Sequence, residues 1–472
     1  MSKAFNNVAK LRGIVDVTEP RFGAKGDGTT DDTAAIQAAI DAVYNRANIP
    51  VPLESTVGGG FVFLPAGSYK VTSTLTLRSR VGLCGEGDRV TYIDGSDIAS
   101  GAVIETEGHG SSVVVSHADI KDLTIYGDSS GGSINGIHYS AWASSIERVQ
   151  IKNCGDGIVL GSSGNSNSLV ETTITRCKIH ECTNGIVGAG SAKATDIRII
   201  DNTINACDES GIESTGTGGW QIIGNNIYNC NNLINFVTVI ASNVIAGNYL
   251  GEANLGPLVI NPGNSSNSGA IAITGNVFKT ANNAGGGVTT SDKSVISLVN
   301  NGAATDLESV TIQGNVIRDG TGNALYGIYI SGTCSKLVIG PNVYEGSFTK
   351  EILFPTTKTG ISVCEPQIGL YAVAKVPTEV TIATGNIPIT GNVHYVDTEA
   401  DAATDDLYTI SGDVFAGMEL TLYAADSART VVVKDSTLEL EGDCSLDNTE
   451  DSITLLYDGT TWREKCRSNN GA

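Results

Sequence analysis

The chain has 472 residues and a formal net charge of −22, with 57 glycines, 11 prolines, 17 % charged and 6 % aromatic residues. A hydrophobic fraction of 40 % and a mean hydropathy of +0.03 exclude a disordered chain, and the glycines lack the every-third spacing of a collagen. The excess of carboxylates opposes phosphate backbones, whose binding draws on Lys and Arg, so no nucleic acid is expected as a partner.

In chain order, Met1-Ser2-Lys3-Ala4-Phe5-Asn6-Asn7 has neither the apolar core nor the small-residue cleavage site of a classical signal peptide. No later run reaches the ~20 apolar residues of a membrane span, so no membrane is expected either. Residues 1–19 read as a leader. Asp31-Asp32-Thr33 then precedes Ile36, Ala39, Ile40 and Val43 at spacings of three and four, which predicts an amphipathic helix near 31–46 with acids in its first turn, where they favour the helix dipole. We assign it as an end cap, because a stack of coils leaves its first strands open unless another element covers them.

From about residue 150 a unit recurs: Ile151-Lys152-Asn153-Cys154 then Gly157-Ile158; Ile179-His180-Glu181-Cys182 then Gly185-Ile186; Asn202-Thr203-Ile204-Asn205-Ala206-Cys207 then Gly211-Ile212. Its asparagines continue at Asn225, Asn248, Asn276, Asn315 and Asn342. An irregular period of this kind means stacked coils with loops of variable length. Within each unit the apolar residues alternate, as in Ile197-Arg198-Ile199, Ile271-Ala272-Ile273 and Val310-Thr311-Ile312, so the elements are strands. The expected fold is all-β: a parallel β-helix over 20–365, three short strands per coil, with the asparagines stacked as a ladder at the corners. Asn suits that place because it tolerates a left-handed backbone and its amide can bond the next Asn along the stack. Ten cysteines are scattered without Cys-x-x-Cys pairs. Cys154, Cys182, Cys207 and Cys230 take one slot in successive coils and read as small buried hydrophobes, so no metal, cofactor or disulfide framework is expected. Residues 397–472 hold 17 Asp/Glu against 5 Lys/Arg, which puts a boundary near 365–395 and makes 366–472 an acidic β-rich C-terminal domain.

The run Phe22-Gly23-Ala24-Lys25-Gly26-Asp27-Gly28-Thr29-Thr30-Asp31-Asp32-Thr33, with Ile36-Gln37-Ala38-Ala39-Ile40 after it, resembles the opening signature of the pectate-lyase-like right-handed parallel β-helix superfamily. Gly60-Phe61-Val62-Phe63-Leu64-Pro65-Ala66-Gly67-Ser68-Tyr69 resembles its next block. Asn7-Val8-Ala9-Lys10-Leu11-Arg12 is similar to the leader before the β-helix of bacteriophage tailspikes. Asp405-Asp406-Leu407-Tyr408-Thr409-Ile410 and the run from Asp451 to Trp462 are similar to the C-terminal domain of phage tail proteins. This resemblance implies a homotrimer on a virion or otherwise outside the cell, with phage tail or baseplate proteins as neighbours and a bacterial surface polysaccharide as partner. The fold itself carries lyases, glycosidases, epimerases and non-catalytic proteins.

The calcium-binding Asp clusters and the Arg-x-Pro-x-x-Arg run of pectate lyases have no match here. The polygalacturonase motifs are absent too, and Gly108-His109-Gly110 precedes every candidate carboxylate, so His109 reads as a loop residue. Glycoside hydrolysis needs one protonated and one ionised carboxyl about 5 to 9.5 Å apart. In each Gly-Ile strand the Ile points inward and the next residue outward, so His138, Val159, Val187, Glu213 and Tyr329 share one outer face. Glu213 is the carboxylate among these five, with Asp208 and Glu209 at the corner before it, and Asp156 aligns two coils away, at about 9.6 Å. We therefore take Glu213, Asp208, Glu209 and Asp156 as catalytic candidates, and His138 and Tyr329 as substrate-binding candidates, Tyr329 by stacking on a sugar face. The 280–305 insertion and a groove between subunits come next. The expected function is that of a tailspike-like protein that binds and cleaves a bacterial surface polysaccharide, hydrolysis being favoured over lyase chemistry. A non-enzymatic virion fibre or adhesin, a polysaccharide lyase and a plain bacterial β-helix enzyme are its rivals.

Overall fold

A computed structural model describes residues 14–45, 49–51, 54–57, 59–109, 115–128, 132–161, 169–188, 194–239, 242–260, 269–280, 294–299, 309–320, 324, 326–331, 337–353, 363–364, 378–389, 391–412, 414 and 416–470. The leader motif at 7–12 lies outside them. Two compact units divide the chain, Met1–Gln367 and Ile368–Ala472.

The first unit is built on one 32-stranded parallel sheet wound into coils, a right-handed parallel β-helix, with three two-stranded sheets beside it. Its first strand, Ile14–Asp16, pairs in parallel with Gly60–Phe63. Three columns of apolar residues fill the interior, one from each strand of the coil. Ile146, Ile174, Ile199, Ile222, Ile245, Ile273 and Ile312 form one, and Ile151, Ile179, Ile204, Ile227, Leu250, Phe278 and Ile317 the second. The third runs from Ile104 through Ile137, Ile158, Ile186, Ile212 and Ile234. All are buried. Because the side-chain period is two, the residues between them face outward in equally strict columns.

The helix Thr33–Tyr44 buries Ile36, Ala39, Ile40 and Val43 against the stack. Gln37 completes the cap: its amide donates to the carbonyl of Thr76 at 3.1 Å and accepts from the Thr76 N–H at 2.9 Å, satisfying the edge of the strand Leu75–Leu77. The acids expected in the first turn are not there. Asp31 and Asp32 precede the helix, and the buried Asp32 carboxylate turns back to accept the N–H groups of Lys25 and Gly26 at 2.7 and 2.9 Å. The tight turn through Gly26 offers two unpaired donors at closer range than the helix does, which is why the carboxylate is used there.

The asparagine ladder runs through Asn202, Asn225, Asn248, Asn276, Asn315 and Asn342. Each Oδ1 accepts both the backbone N–H and the side-chain N–H of the preceding Asn at 2.9–3.0 Å. The left-handed backbone, however, belongs to the residue before five of these six Asn: Asp201, Gly224, Gly247, Gly275 and Gly314. The Asn is selected for its amide alone, and Gly absorbs the strain. A second corner repeats the device, with left-handed Asn153, Glu181, Ala206 and Asn229 each followed by a buried Cys. Cys154, Cys182, Cys207 and Cys230 are unpaired thiols, each donating to the carbonyl two residues earlier. Hydrogen bonding to the neighbouring thiol, then burial, raises Cys154 and Cys207 above the usual thiol range. Dithiothreitol is expected to leave the thermal unfolding of the coil unchanged; a large drop would show that cross-links hold it.

The second unit has its own core, including Ile387, Val396, Leu407, Leu422, Leu455 and Trp462. Its five-stranded sheet starts parallel, through Thr378–Thr381, Val393–Asp397 and Glu419–Ala424, and finishes antiparallel through Ser452–Tyr457 and Trp462–Ser468. Among the described residues each Lys and Arg here is paired with acids. Arg429 reaches both Asp397 oxygens at 2.7 and 2.8 Å as well as Asp401 and Asp426, while Lys434, Arg463, Lys465 and Arg467 meet Asp443, Asp458, Glu419 and Glu464. Such pairing relieves the self-repulsion of an acidic domain.

Candidate functional site

The outward column beside the Ile104–Ile234 interior column is Glu105, His138, Val159, Val187, Glu213, Asn235, Val259, Ser297 and Tyr329, one per coil. At about 4.8 Å per step it extends roughly 38 Å. The column is covered in places, Val159 and Ser297 being buried, and the half-buried Val187 gives it an apolar step beside Glu213. A parallel column, offset by three residues, holds Asn135, Asp156, Asn184 and Ser210.

The two columns are joined by one hydrogen-bonded chain. Asp156 donates its N–H to Asn135 Oδ1 at 2.7 Å, and its Oδ1 accepts from Asn184 Nδ2 at 2.9 Å. Asn184 Oδ1 accepts the Ser210 N–H at 2.9 Å, and the Ser210 hydroxyl donates to Glu213 Oε2 at 3.2 Å, an oxygen that Asn235 Nδ2 also approaches at 3.4 Å. Glu213 therefore leans back over Ser210, into line with Asp156 two coils away. In the other direction Asn135 Oδ1 is occupied, so its Nδ2 faces His138 Nε2 at 2.9 Å. Nε2 must then accept, which leaves the proton on Nδ1 to be donated to Glu105 Oε2 at 3.3 Å. His109 stacks on His138 with ring centroids 4.4 Å apart and bonds Ser140 Oγ at 3.2 Å.

Burial dominates the electrostatics. It pushes the Glu213 carboxyl above the usual carboxylate range against the opposing hydrogen bonds of Ser210 and Asn235, and the charges of Glu209 and Asp156 add to the rise. Asp156 is likewise raised, first by burial and then by Glu209, while Asn184 and His138 pull it down. His109 is lowered to about 4 by burial and by His138, so it stays neutral.

Of the residues singled out by sequence, Asp156, Glu209 and Glu213 thus lie within electrostatic reach of one another, and His138 joins Asp156 through Asn135. Asp208 is exposed at the corner, where its carbonyl accepts from Asn231 Nδ2 at 2.6 Å. Tyr329 stands four coils from Glu213, about 19 Å, half-buried beside the Tyr326 ring at 6.3 Å. The segments 281–293 and 300–305 of the 280–305 insertion lie outside the described residues. Glu105 went unread in the sequence because Ala102-Val103-Ile104 carries no Gly-Ile pair, although its apolar-polar alternation was visible. His109 reaches the column across the turn that ends the strand Gly101–Thr106. Among the described residues no three His, Cys, Asp or Glu side chains converge as metal ligands, and no helix is long and apolar enough to cross a membrane.

Coils and helix cap together make a right-handed parallel β-helix of pectate-lyase-like fold. Residues 15–235 match the family described as "Rhamnogalacturonase A/epimerase, pectate lyase-like". Mannuronan C5-epimerase AlgE2 of Azotobacter vinelandii is 38 % identical over 135 residues, 26 % of this chain and 12 % of that protein. Alginate lyase 7 of the same organism is 34 % identical over 157 residues, 28 % of this chain and 16 % of that protein. The chain therefore spans a small fraction of the length of the curated relatives it matches. The solved structure of DFA-IIIase from Arthrobacter chlorophenolicus A6 in complex with GF2 shares the fold, with a TM-score of 0.60 at 15 % identity, covering 75 % of this chain and 94 % of that one.

Proposed function

We propose that the chain acts on a polysaccharide laid along the outward column, with Asp156 and Glu213 as the acid and base of glycoside hydrolysis. The observation that carries this reading is the pair itself: two carboxyls in line, two coils apart, both raised by burial and by the charge of Glu209. Two coil steps put about 9.6 Å between the Asp156 and Ser210 positions, just beyond the ~9.5 Å within which a water fits between acid and base in the inverting arrangement, and Glu213 leans over Ser210 toward Asp156. One carboxyl keeps its proton for the leaving oxygen while the other draws a proton from water. Val187, half-buried between them, offers the apolar face of a sugar a contact. Asp208 is the reserve acid, and Tyr329 a stacking platform further along. The sequence likenesses at Asn7–Arg12 and in the C-terminal unit support a tailspike-like setting: a homotrimer outside the cell or on a virion, next to tail or baseplate proteins, facing a bacterial surface polysaccharide.

A second reading has a specific observation behind it. His138 turns Nε2 as an acceptor to Asn135 and holds Nδ1 against Glu105, the arrangement of a base oriented by a carboxylate. Two of the relatives are a mannuronan C5-epimerase and an alginate lyase. In that reading His138 removes the proton next to a uronate carboxylate, and a protonated Asp156 or Glu213 stabilises the charge. Incubation with alginate, bacterial capsules and lipopolysaccharides in deuterated water separates the cases. New reducing ends alone mean hydrolysis; unsaturated-uronate absorbance means elimination; deuterium uptake without chain shortening means epimerisation. Binding with none of these would sink both readings in favour of a fibre.

A further inference from the structure

Two outward faces meet at the asparagine-ladder corner. In the coils at 145–150, 173–178 and 198–203 these faces carry Glu147, Arg148, Arg176, Lys178, Arg198 and Asp201. From Gln221 onward the character changes. Over five successive coils, to Val343, the four outward positions around each corner hold no Asp, Glu, Lys, Arg or His. Val244, Tyr249 and Val277, three of the large apolar side chains left exposed on the described surface, lie together on this stripe. Exposed left-handed glycines at 224, 247, 275 and 314 keep its ridge low.

We infer that this stripe is where copies of the chain pack side by side. A chain of net charge −22 repels its own copy over most of its surface, so close approach needs a patch free of carboxylates. The stripe is such a patch, and its borders carry balanced pairs, Lys279 with Glu252 and Arg318 with Glu345, both at 3.6 Å. About twenty positions match the roughly 20–30 residues a side of a stable interface. Uncharged flanks on both sides of a ridge also fit closure: one flank of each copy meets the other flank of the next around a rotation axis. This surface is separate from the outward column of the candidate site and does not depend on the chemistry proposed there; it rests on the homotrimer proposed above and names the face that builds it.

Light scattering of the full chain at micromolar concentration is the test, read against the 48.8 kDa mass of one chain. The wild type should give an assembly, three chains in the closed arrangement, and Tyr249→Glu with Val277→Glu should give single chains with an unchanged far-ultraviolet spectrum. Val237→Glu, equally exposed but outside the stripe, should leave the assembly intact. Should the double variant misfold, Val277→Ser must still weaken assembly at least tenfold. A folded double variant of wild-type mass overturns the inference and leaves the homotrimer standing, a monomeric wild type overturns both, and polysaccharide turnover measured on the same samples reports independently on the proposed chemistry.

Discussion

Glu213→Gln and Asp156→Asn should each lower polysaccharide turnover by ~100-fold or more, the usual size of a lost acid or base contribution, with the coil intact. The substitutions keep size and one hydrogen-bonding oxygen, so Ser210 and Asn235 retain an acceptor at position 213 and Asn184 retains one at 156. Both carboxyls are raised in the folded protein, so each costs stability once it ionises above its folded pKa; removing the charge at neutral pH should leave the melting temperature equal or higher. Loss of activity without loss of stability is the signature of a group kept for chemistry. The pH profile adds a sign. A raised acid donates only while protonated, so turnover should fall as pH rises through its folded pKa. Because the charge of Glu209 raises both groups, Glu209→Gln should move that alkaline limb to lower pH. If the Gln and Asn variants turn over substrate at the wild-type rate, the acid and base lie elsewhere, and the same assay on Glu105→Gln and His138→Asn tests the proton-abstraction reading.

Asn248→Ala, in the middle of the ladder, should be strongly damaging to stability. It removes the acceptor of the Asn225 N–H at 2.9 Å and of the Asn225 side-chain N–H at 3.0 Å, and the donor to the Ile222 carbonyl at 2.9 Å, all in the dry interior. With each orphaned buried group costing about 1–3 kcal/mol, a loss of at least ~3 kcal/mol is expected. Asn226→Ala, on the exposed side of the same corner, should cost less than ~0.5 kcal/mol. Chemical denaturation midpoints of the two variants measure the contrast; equal midpoints would mean the ladder contributes no net stability.

Much of this architecture is legible in the sequence because it is local and repeated. Ile197-Arg198-Ile199 and its equivalents declare strands, and the recurrence of Asn and Cys at fixed offsets declares coils. The alignment of Asp156 with Asn184 and Ser210 was likewise readable from the Gly that comes after each, and it is the register observed. What escaped reading depends on three-dimensional competition. Asp32 sits where a helix cap belongs, yet a nearer turn takes its carboxylate. The left-handed residue is the one before the Asn, because Gly or Asp bears that conformation more cheaply than a residue whose amide must stay in the ladder. Glu105 and His109 belong to a coil without the Gly-Ile pair, so only strand pairing brings them beside His138. The uncharged stripe is spread over more than a hundred residues and becomes contiguous only once the coils stack.

The ladder also sets how the β-helix would yield to force. Pulled apart along its axis, the stack loads its coils in series, and every rung is the same pair of amide bonds, so no coil is a designed weak point. The slack released when a rung parts is set instead by the chain between rungs: 23, 23, 28, 39 and 27 residues in turn. At about 3.5 Å per residue the shortest of these is roughly 80 Å of extended chain. Force and extension are thus governed by different residues, the first by a uniform column of asparagines and the second by the loops, so a loop can lengthen without weakening the tether.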